Sequence, residues 1–281
     1  MISCVGLHKS FGDVSAISDV SFTIQDGTFL GLLGPNGAGK TSLIRLMIGL
    51  LEADLGCVMY DECPITKDAI ETKKTIGVVS QHVNLDKELT VEENMHFMGR
   101  LYHMPKSRIQ ERTDELLEFF GLTKERTRLS KTLSGGMKRK LMIAKAIIHD
   151  PLYIFLDEPT VGIDINYRKE IWAALKQQHN RGKTIVLTSH YIEEIEYLCD
   201  RVMLIDEGKI FKDSNTHSLI NELGAYKVEY FENDSYRAFH YPSIEDAKKS
   251  VAAYEGSYKI ADSTLEDVFF HYTSKKVREW K

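Results

Sequence analysis

Four stretches of this chain carry side chains suited to phosphate chemistry. "GPNGAGKT", Gly34 to Thr41, combines glycines with one lysine and one threonine. The backbone N–H groups of such a loop surround phosphate oxygens, Lys40 neutralises the β and γ oxygens, and Thr41 ligates Mg²⁺. Gly34, Pro35, Asn36, Gly37, Ala38, Gly39, Lys40, Thr41 and Ser42 are therefore the expected triphosphate cradle. "YIFLDEP" ends an apolar run with Asp157 and Glu158. An acid there suits Mg²⁺ (Asp157) and the orientation of attacking water (Glu158). "TSH" ends another apolar run at His190, suited to a γ-phosphate contact, and "VVSQ" ends a third at Gln81. The Gln81 amide oxygen can serve Mg²⁺ or the water. Alone, the Asp-Glu pair is an ordinary strand-end turn and Gln81 an ordinary strand-end residue; the phosphate loop makes them candidates.

A second glycine device, "TLSGGMKRKL" at Thr132 to Leu141, also opens a helix. Its basic run, Lys138, Arg139 and Lys140, reads as a solvated helix face, since short charge runs usually are. Phe11, before Gly12, either stacks on a base or belongs to the core.

These groups need rigid carriers. Residues 1–80 alternate short β-rich runs with Gly and Asp turns, and "VSFTI" and "TFLGLLG" flank a hairpin-type Asp26-Gly27 turn. The phosphate loop sits between a strand and the helix "TSLIRLMIGLL". From Thr90 to about His149 the pattern is helical. Thr90 is an N-cap with Glu92 and Glu93 behind it, and Gly121 is a C-terminal stop. "PLYIFLDEP" and "TIVLTSH" then read as buried parallel strands, each followed by a helix, and "RVMLIDEGKIF" as a strand and hairpin. The expected class is α/β: a parallel sheet with an added antiparallel part, a helical subdomain inserted at about 82–148, and a small C-terminal extension. The expected boundary separates residues 1–216 from residues 217–281, where "AYKVEYF" reads as a strand and "SIEDAKKSVAAY" as a helix.

The bulk numbers narrow the function. The chain has 281 residues, is 43% hydrophobic and 27% charged, and carries a net charge of −5. That balance fits a soluble globular protein and argues against a general nucleic-acid binder. The apolar runs "FLGLLG" and "LYIFL" fall far short of the roughly 20 residues of a membrane helix, and the N-terminus lacks a signal-peptide core. Any membrane association is expected through a partner. The four cysteines fit no paired zinc or redox spacing and read as reduced thiols.

In order along residues 5–211, these motifs resemble the ATPase subunit of an ABC transporter. Phe11 matches the adenine-stacking aromatic, "GPNGAGKT" Walker A, Gln81 the Q-loop, "LSGGM" the signature, "YIFLDEP" Walker B, Asp164 of "VGID" the D-loop and His190 the switch histidine. The resemblance implies ATP and Mg²⁺ as cofactors and Glu158 as catalytic base, with His190 and Lys40 supporting it. It also implies a head-to-tail pair of subunits, expected to be a homodimer. Ser134, Gly135 and Gly136 of one would then meet the ATP held by the other, which explains two glycine devices in one chain. A membrane-spanning permease is the other implied partner, docked near Gln81 and residues 84–98. The chain would then sit peripherally on the cytoplasmic side of the membrane. Met137 stands where ABC importers commonly carry Gln, and "TLEDVFF", Thr264 to Phe270, resembles a tail element of type 2 exporters; export is therefore expected. The rivals are an importer ATPase and a non-transport ABC ATPase. One cassette argues against the fused translation factors, and the short helical block against the coiled-coil chromosome ATPases.

Overall fold

The computed structural model describes residues 1–232 and 235–279. They fall into two compact units, divided between Lys212 and Asp213.

The first unit contains two sheets. β1 (Ile2–Phe11), β2 (Val14–Ile24), β4 (Leu55–Tyr60) and β5 (Cys63–Pro64) form an antiparallel sheet in the order β2-β1-β4-β5. β3 (Phe29–Leu33), β6 (Ile76–Val79), β7 (Tyr153–Asp157), β8 (Thr184–Thr188), β9 (Arg201–Asp206) and β10 (Lys209–Asn215) form the second, in the order β10-β9-β3-β8-β7-β6. Pairing from β9 through β3, β8 and β7 to β6 is parallel. All residues of β3, β7 and β8 are buried, as strands covered on both faces must be.

The Asp26-Gly27 turn is not a hairpin. β2 pairs with β1, whereas β3 pairs with β8 and β9, so the chain passes there from one sheet to the other. The strand patterns explain the difference. β2 buries only part of its length, while β3 is continuously apolar and is satisfied only inside the parallel sheet.

α1 (Lys40–Met47) contacts both β2 and β7. Its Leu43, Ile44 and Met47 join Leu7, Val20, Leu32 and Phe155 in one core cluster. α2 (Ile70–Lys74) is a short turn of helix before β6. The helical block follows β6 as α3 (Val91–Leu101), α4 (Lys106–Phe119) and α5 (Gly135–Ala146). α3 starts in a capping box: Thr90 Oγ1 accepts from Glu93 N–H at 3.2 Å and Glu93 Oε2 from Thr90 N–H at 2.8 Å. Gly121, at φ 65°, follows the end of α4 as expected. α6 (Ile165–Asn180) and α7 (Ile192–Leu198) complete the unit, with α7 packed on β3.

A buried arginine and a half-buried histidine hold the helical block together and tie it to β6. Arg112 of α4 donates to Ile147 O at 3.0 Å and Ile148 O at 3.3 Å, just past the end of α5. The His149 ring stacks on Tyr102 with centroids 3.6 Å apart, and His149 Nε2 lies 3.1 Å from Ile76 O at the start of β6. Burial pushes the His149 imidazolium down from 6.5 to about 4, against the opposing pull of the Ile76 carbonyl. The fold therefore favours the neutral ring. Its contribution is full above pH 6.5 and is lost as pH falls towards 4, with an upper size on the order of 3 kcal/mol. His149→Phe keeps a flat ring but does not titrate. The parent's melting temperature is expected to fall more steeply between pH 7 and pH 5 than that of His149→Phe. Parallel decline in thermal scans would assign the acid sensitivity to another group.

In the second unit, α8 (Thr216–Leu223) packs on α10 (Leu265–Glu279). β11 (Tyr226–Glu232), β12 (Ser235–Tyr241) and β13 (Ser257–Asp262) form an antiparallel sheet in the order β12-β11-β13. α9 (Ile244–Ser250) and the residue after it lay Ala247 and Val251 on Val228. "TLEDVFF" has a local structural role: Thr264 Oγ1 and Asp267 Oδ2 bond at 2.9 Å around the first turn of α10, and Leu265 and Val268 are buried.

Among the described residues no helix is long and apolar enough to cross a membrane. Cys4 and Cys199 are buried, which pushes both thiols up; Cys57 and Cys63 are exposed.

Candidate functional site

The loop after β3 turns tightly enough to direct the N-terminus of α1 outward. Gly37 and Gly39 hold positive φ of 81° and 103°. A Cβ at Gly39 would lie 2.4 Å from Ala16 O, so only glycine fits. α1 has no side-chain cap. Its first N–H groups are thus available to an anion. Lys40 is 7% exposed, and its Nζ donates to Gly34 O at 2.8 Å and Pro35 O at 2.9 Å. Burial lowers the Lys40 pKa, while Glu158 and Asp157 oppose that shift. These two carbonyls use two of the three ammonium donors and leave the third for an anion.

The loop forms one wall of a cleft of about 400 Å³. Asn36, Gly37, Gly39, Lys40, Thr41 and Ser42 line it together with Gln81, Glu158 and His190, from three different strand ends. All three strands belong to the parallel sheet, and their carboxyl ends converge because parallel strands share a direction. Phe11 is 51% exposed and pairs across the β1–β2 hairpin with Val14, which lines the cleft mouth. Gly34 and Ala38 face inward: Ala38 is part of the core, and a Cβ on Gly34 would strike Ile205 O at 2.1 Å.

Glu158 is the centre of the polar arrangement. It is 6% exposed, and its backbone takes φ 51°, in the left-handed region. Its Oε1 lies 2.5 Å from His190 Nε2, and its Oε2 accepts from Gln81 Nε2 at 2.9 Å. Gln81 thus presents its amide nitrogen to the carboxylate, which leaves its oxygen for another donor or a cation. Asp157 lies one residue earlier, with Oδ1 accepting from Thr188 Oγ1 at 2.7 Å and Thr41 Oγ1 at 3.3 Å. Thr41 and Asp157, the expected Mg²⁺ residues, are therefore joined by a hydrogen bond.

A second layer holds these groups. Glu194, fully buried on α7, accepts from Ser189 Oγ at 2.5 Å, Trp172 Nε1 at 2.7 Å and Thr160 Oγ1 at 3.0 Å. Burial raises its pKa and these three donors pull it back. It pins the loops that follow Glu158 and precede His190. Arg168 lies 3.7 Å over the Tyr191 ring, next to the switch position. Sequence reasoning missed both residues. Glu194 stands in the first turn of the helix that follows His190, a place that could have marked it as a support.

The signature elements do not line this cleft. Ser134 N-caps α5, accepting from Met137 N–H at 3.3 Å, and Asp164 N-caps α6, accepting from Asn166 N–H at 2.9 Å. Gly135 is open to solvent, but Gly136 is buried, and a Cβ there would lie 2.7 Å from the Tyr167 ring. The basic run is not a solvated face. Arg139 and Lys140 are 5% and 7% exposed. Lys140 pairs with Glu170 and lies 5.1 Å over Tyr167. The reason is the place of α5 in the fold: every residue from Arg139 to Ala146 is buried, so the helix is enclosed on all sides after its first turn.

A strand–glycine loop–helix with Lys and Thr, an Asp at the end of the strand next but one and a Glu held between Gln and His make this a P-loop ATPase. Residues 17–161 match the ABC transporter family. The chain is 42% identical to the Nod factor export ATP-binding protein I of Rhizobium sp. (strain N33) over 231 residues, covering 82% of this chain and 76% of that protein. It is 38% identical to the linearmycin resistance ATP-binding protein LnrL of Bacillus subtilis (strain 168) over 224 residues, or 80% and 72% of the two chains. A dimeric ATP-binding cassette solved in a post-hydrolysis state with ADP and Pi superposes with a TM-score of 0.70 at 25% identity, over 76% of this chain and 98% of that one. The chain belongs to the ABC transporter family.

Proposed function

We propose that this chain is the ATP-hydrolysing subunit of an ABC exporter. It works as a pair of cassettes on the cytoplasmic side of the membrane, beneath a separate membrane-spanning permease. The observation that carries the catalytic part is Glu158, bracketed by Gln81 and His190 at the edge of the phosphate cleft. Export rests on the relatives, which are named for Nod factor export and linearmycin resistance. Met137 and the "TLEDVFF" segment support the same direction.

Lys40 and the N–H groups opening α1 hold the β and γ phosphates, and Glu158 orients water for in-line attack and takes its proton. His190 donates towards the γ-phosphate and holds Glu158 in place. The Thr41 hydroxyl and Asp157 suit Mg²⁺. Among the described residues no group of three or more His, Cys, Asp or Glu is placed to hold a metal ion. Mg²⁺ on a nucleotide needs only one or two protein ligands, because phosphate and water supply the rest. Bound there, it would neutralise charge on the β and γ oxygens. Ser134, Gly135 and Gly136, outside their own cleft, are suited to the second cassette's nucleotide, with Asp164 beside them. Val83 and Phe97, 51% and 52% exposed, offer apolar surface to the permease.

The test is purification of the tagged chain from detergent-solubilised membranes of its own cells. A polytopic membrane protein is expected in the complex, with ATP hydrolysis abolished by Lys40→Ala. Recovery of hydrolytic activity only in a soluble, nucleic-acid-bound form would replace the exporter reading with the non-transport one.

A further inference from the structure

Arg139 takes no part in the functions assigned above, yet it is the most elaborately held cation near the site. Its guanidinium donates to Ser80 O at 2.8 Å and Gln81 O at 3.2 Å on the Q-loop. It also donates to Asp157 O at 3.2 Å and to the carbonyls of Glu158 and Pro159. These acceptors belong to the two segments that carry the catalytic Glu158 and its partner Gln81. The Arg139 side chain itself comes from the second turn of α5, whose first turn begins at the signature Ser134.

Glu158 is a non-glycine residue at φ 51°, a conformation L-residues rarely take. Such backbone persists where its surroundings over-determine it. On one side, Glu158 N–H lies 3.1 Å from both Thr188 O and Thr188 Oγ1. On the other, Arg139 takes the three successive carbonyls around the bend. A planar guanidinium can do this because its N–H groups form a fixed fork; an ammonium is a single point of charge. Burial lowers the Arg139 pKa to about 10, against the pull of Asp157, Glu194 and Glu158, so it stays charged at neutral pH.

We propose that Arg139 is a positioning residue that ties the signature helix to the Q-loop and to the bend carrying Glu158, so that movement of that helix is transmitted to the carboxylate that activates water. This rests on the reading above, in which the start of α5 contacts the nucleotide of the second cassette. One rigid helix then touches one ATP at its tip and holds the catalytic backbone of the other site 5 residues later, which links the two sites within each subunit.

The test compares the full-length parent with Arg139→Gln, Arg139→Lys and Lys138→Gln in steady-state ATP hydrolysis and in equilibrium binding of a fluorescent ATP analogue. Arg139→Gln is expected to lower kcat by roughly 100-fold, the cost of an ångström-scale misplacement, while KM and analogue affinity change by less than about 3-fold. Arg139→Lys is expected to restore part of the rate. Lys138→Gln removes the same charge one position away and is expected to hydrolyse at the parental rate. Parental kcat in Arg139→Gln would overturn the proposal, and so would equal losses in kcat and analogue binding, which mark general disruption. Where Arg139→Gln does not fold, Arg139→Lys decides: lowered kcat with unchanged KM supports the proposal and parental kcat overturns it. A parent without ATP hydrolysis would instead count against the proposed function.

Discussion

Glu158→Gln is expected to bind ATP like the parent and to hydrolyse it about 10³-fold more slowly, the middle of the range for loss of a general base. The substitution keeps size and shape, so the left-handed bend and the Gln81 contact at Oε2 are preserved in kind. What it removes is the negative charge and the ability to take a proton from water. The negative charge beside the γ-phosphate is also a repulsion, and its loss favours the ATP-bound form. The mutant is therefore expected to accumulate as an ATP-dependent dimer in size-exclusion chromatography, while the parent passes through it. Turnover at the parental rate would remove Glu158 from the base role. Loss of ATP binding together with turnover would mean that the carboxylate supports the cleft rather than the chemistry.

Lys40→Ala and Ser134→Arg should each be nearly inactive alone and regain hydrolysis when mixed. Lys40 belongs to the chain's own cleft, whereas Ser134 sits outside it, at the exposed tip of α5. If each nucleotide is completed by the other subunit's signature, a mixed dimer has one site with both defects and one with none. With random pairing half the dimers are mixed, so recovery of about a quarter of the parental rate is expected for symmetric exchange. ATP-dependent dimerisation of the mixture, followed separately, covers the case in which the two sites fire only together. Neither regained hydrolysis nor regained dimerisation would sink the shared-site arrangement.

The legible part of this protein consists of features whose physics is local. A phosphate loop needs its glycines, lysine and threonine at fixed spacing between a strand and a helix, so "GPNGAGKT" announces both the fold unit and the ligand. The acids, glutamine and histidine end apolar runs, which places them on one sheet edge without knowledge of strand order. The Thr90–Glu93 capping box and the Gly121 stop are decided within one turn of helix. The hairpin expected at Asp26-Gly27 failed because a turn dipeptide reports a local bend, not which strands pair afterwards. Burial of both faces of β3 decided that.

The sequence by itself determined that the chain carries a phosphate loop between a strand and a helix, an Asp-Glu pair ending an apolar run, and a second glycine motif. Each of these is a short pattern with its own chemistry. Only the tertiary structure decided that Glu158 stands in a left-handed bend, that Glu194 gathers Ser189, Trp172 and Thr160, and that Gly136 makes room for Tyr167. It also turned the basic run from a solvated face into a clasp. The reason is that Arg139 is satisfied by main-chain carbonyls of distant segments. Every residue owns such a carbonyl, so no side-chain pattern can reveal which ones a folded chain will bring to it.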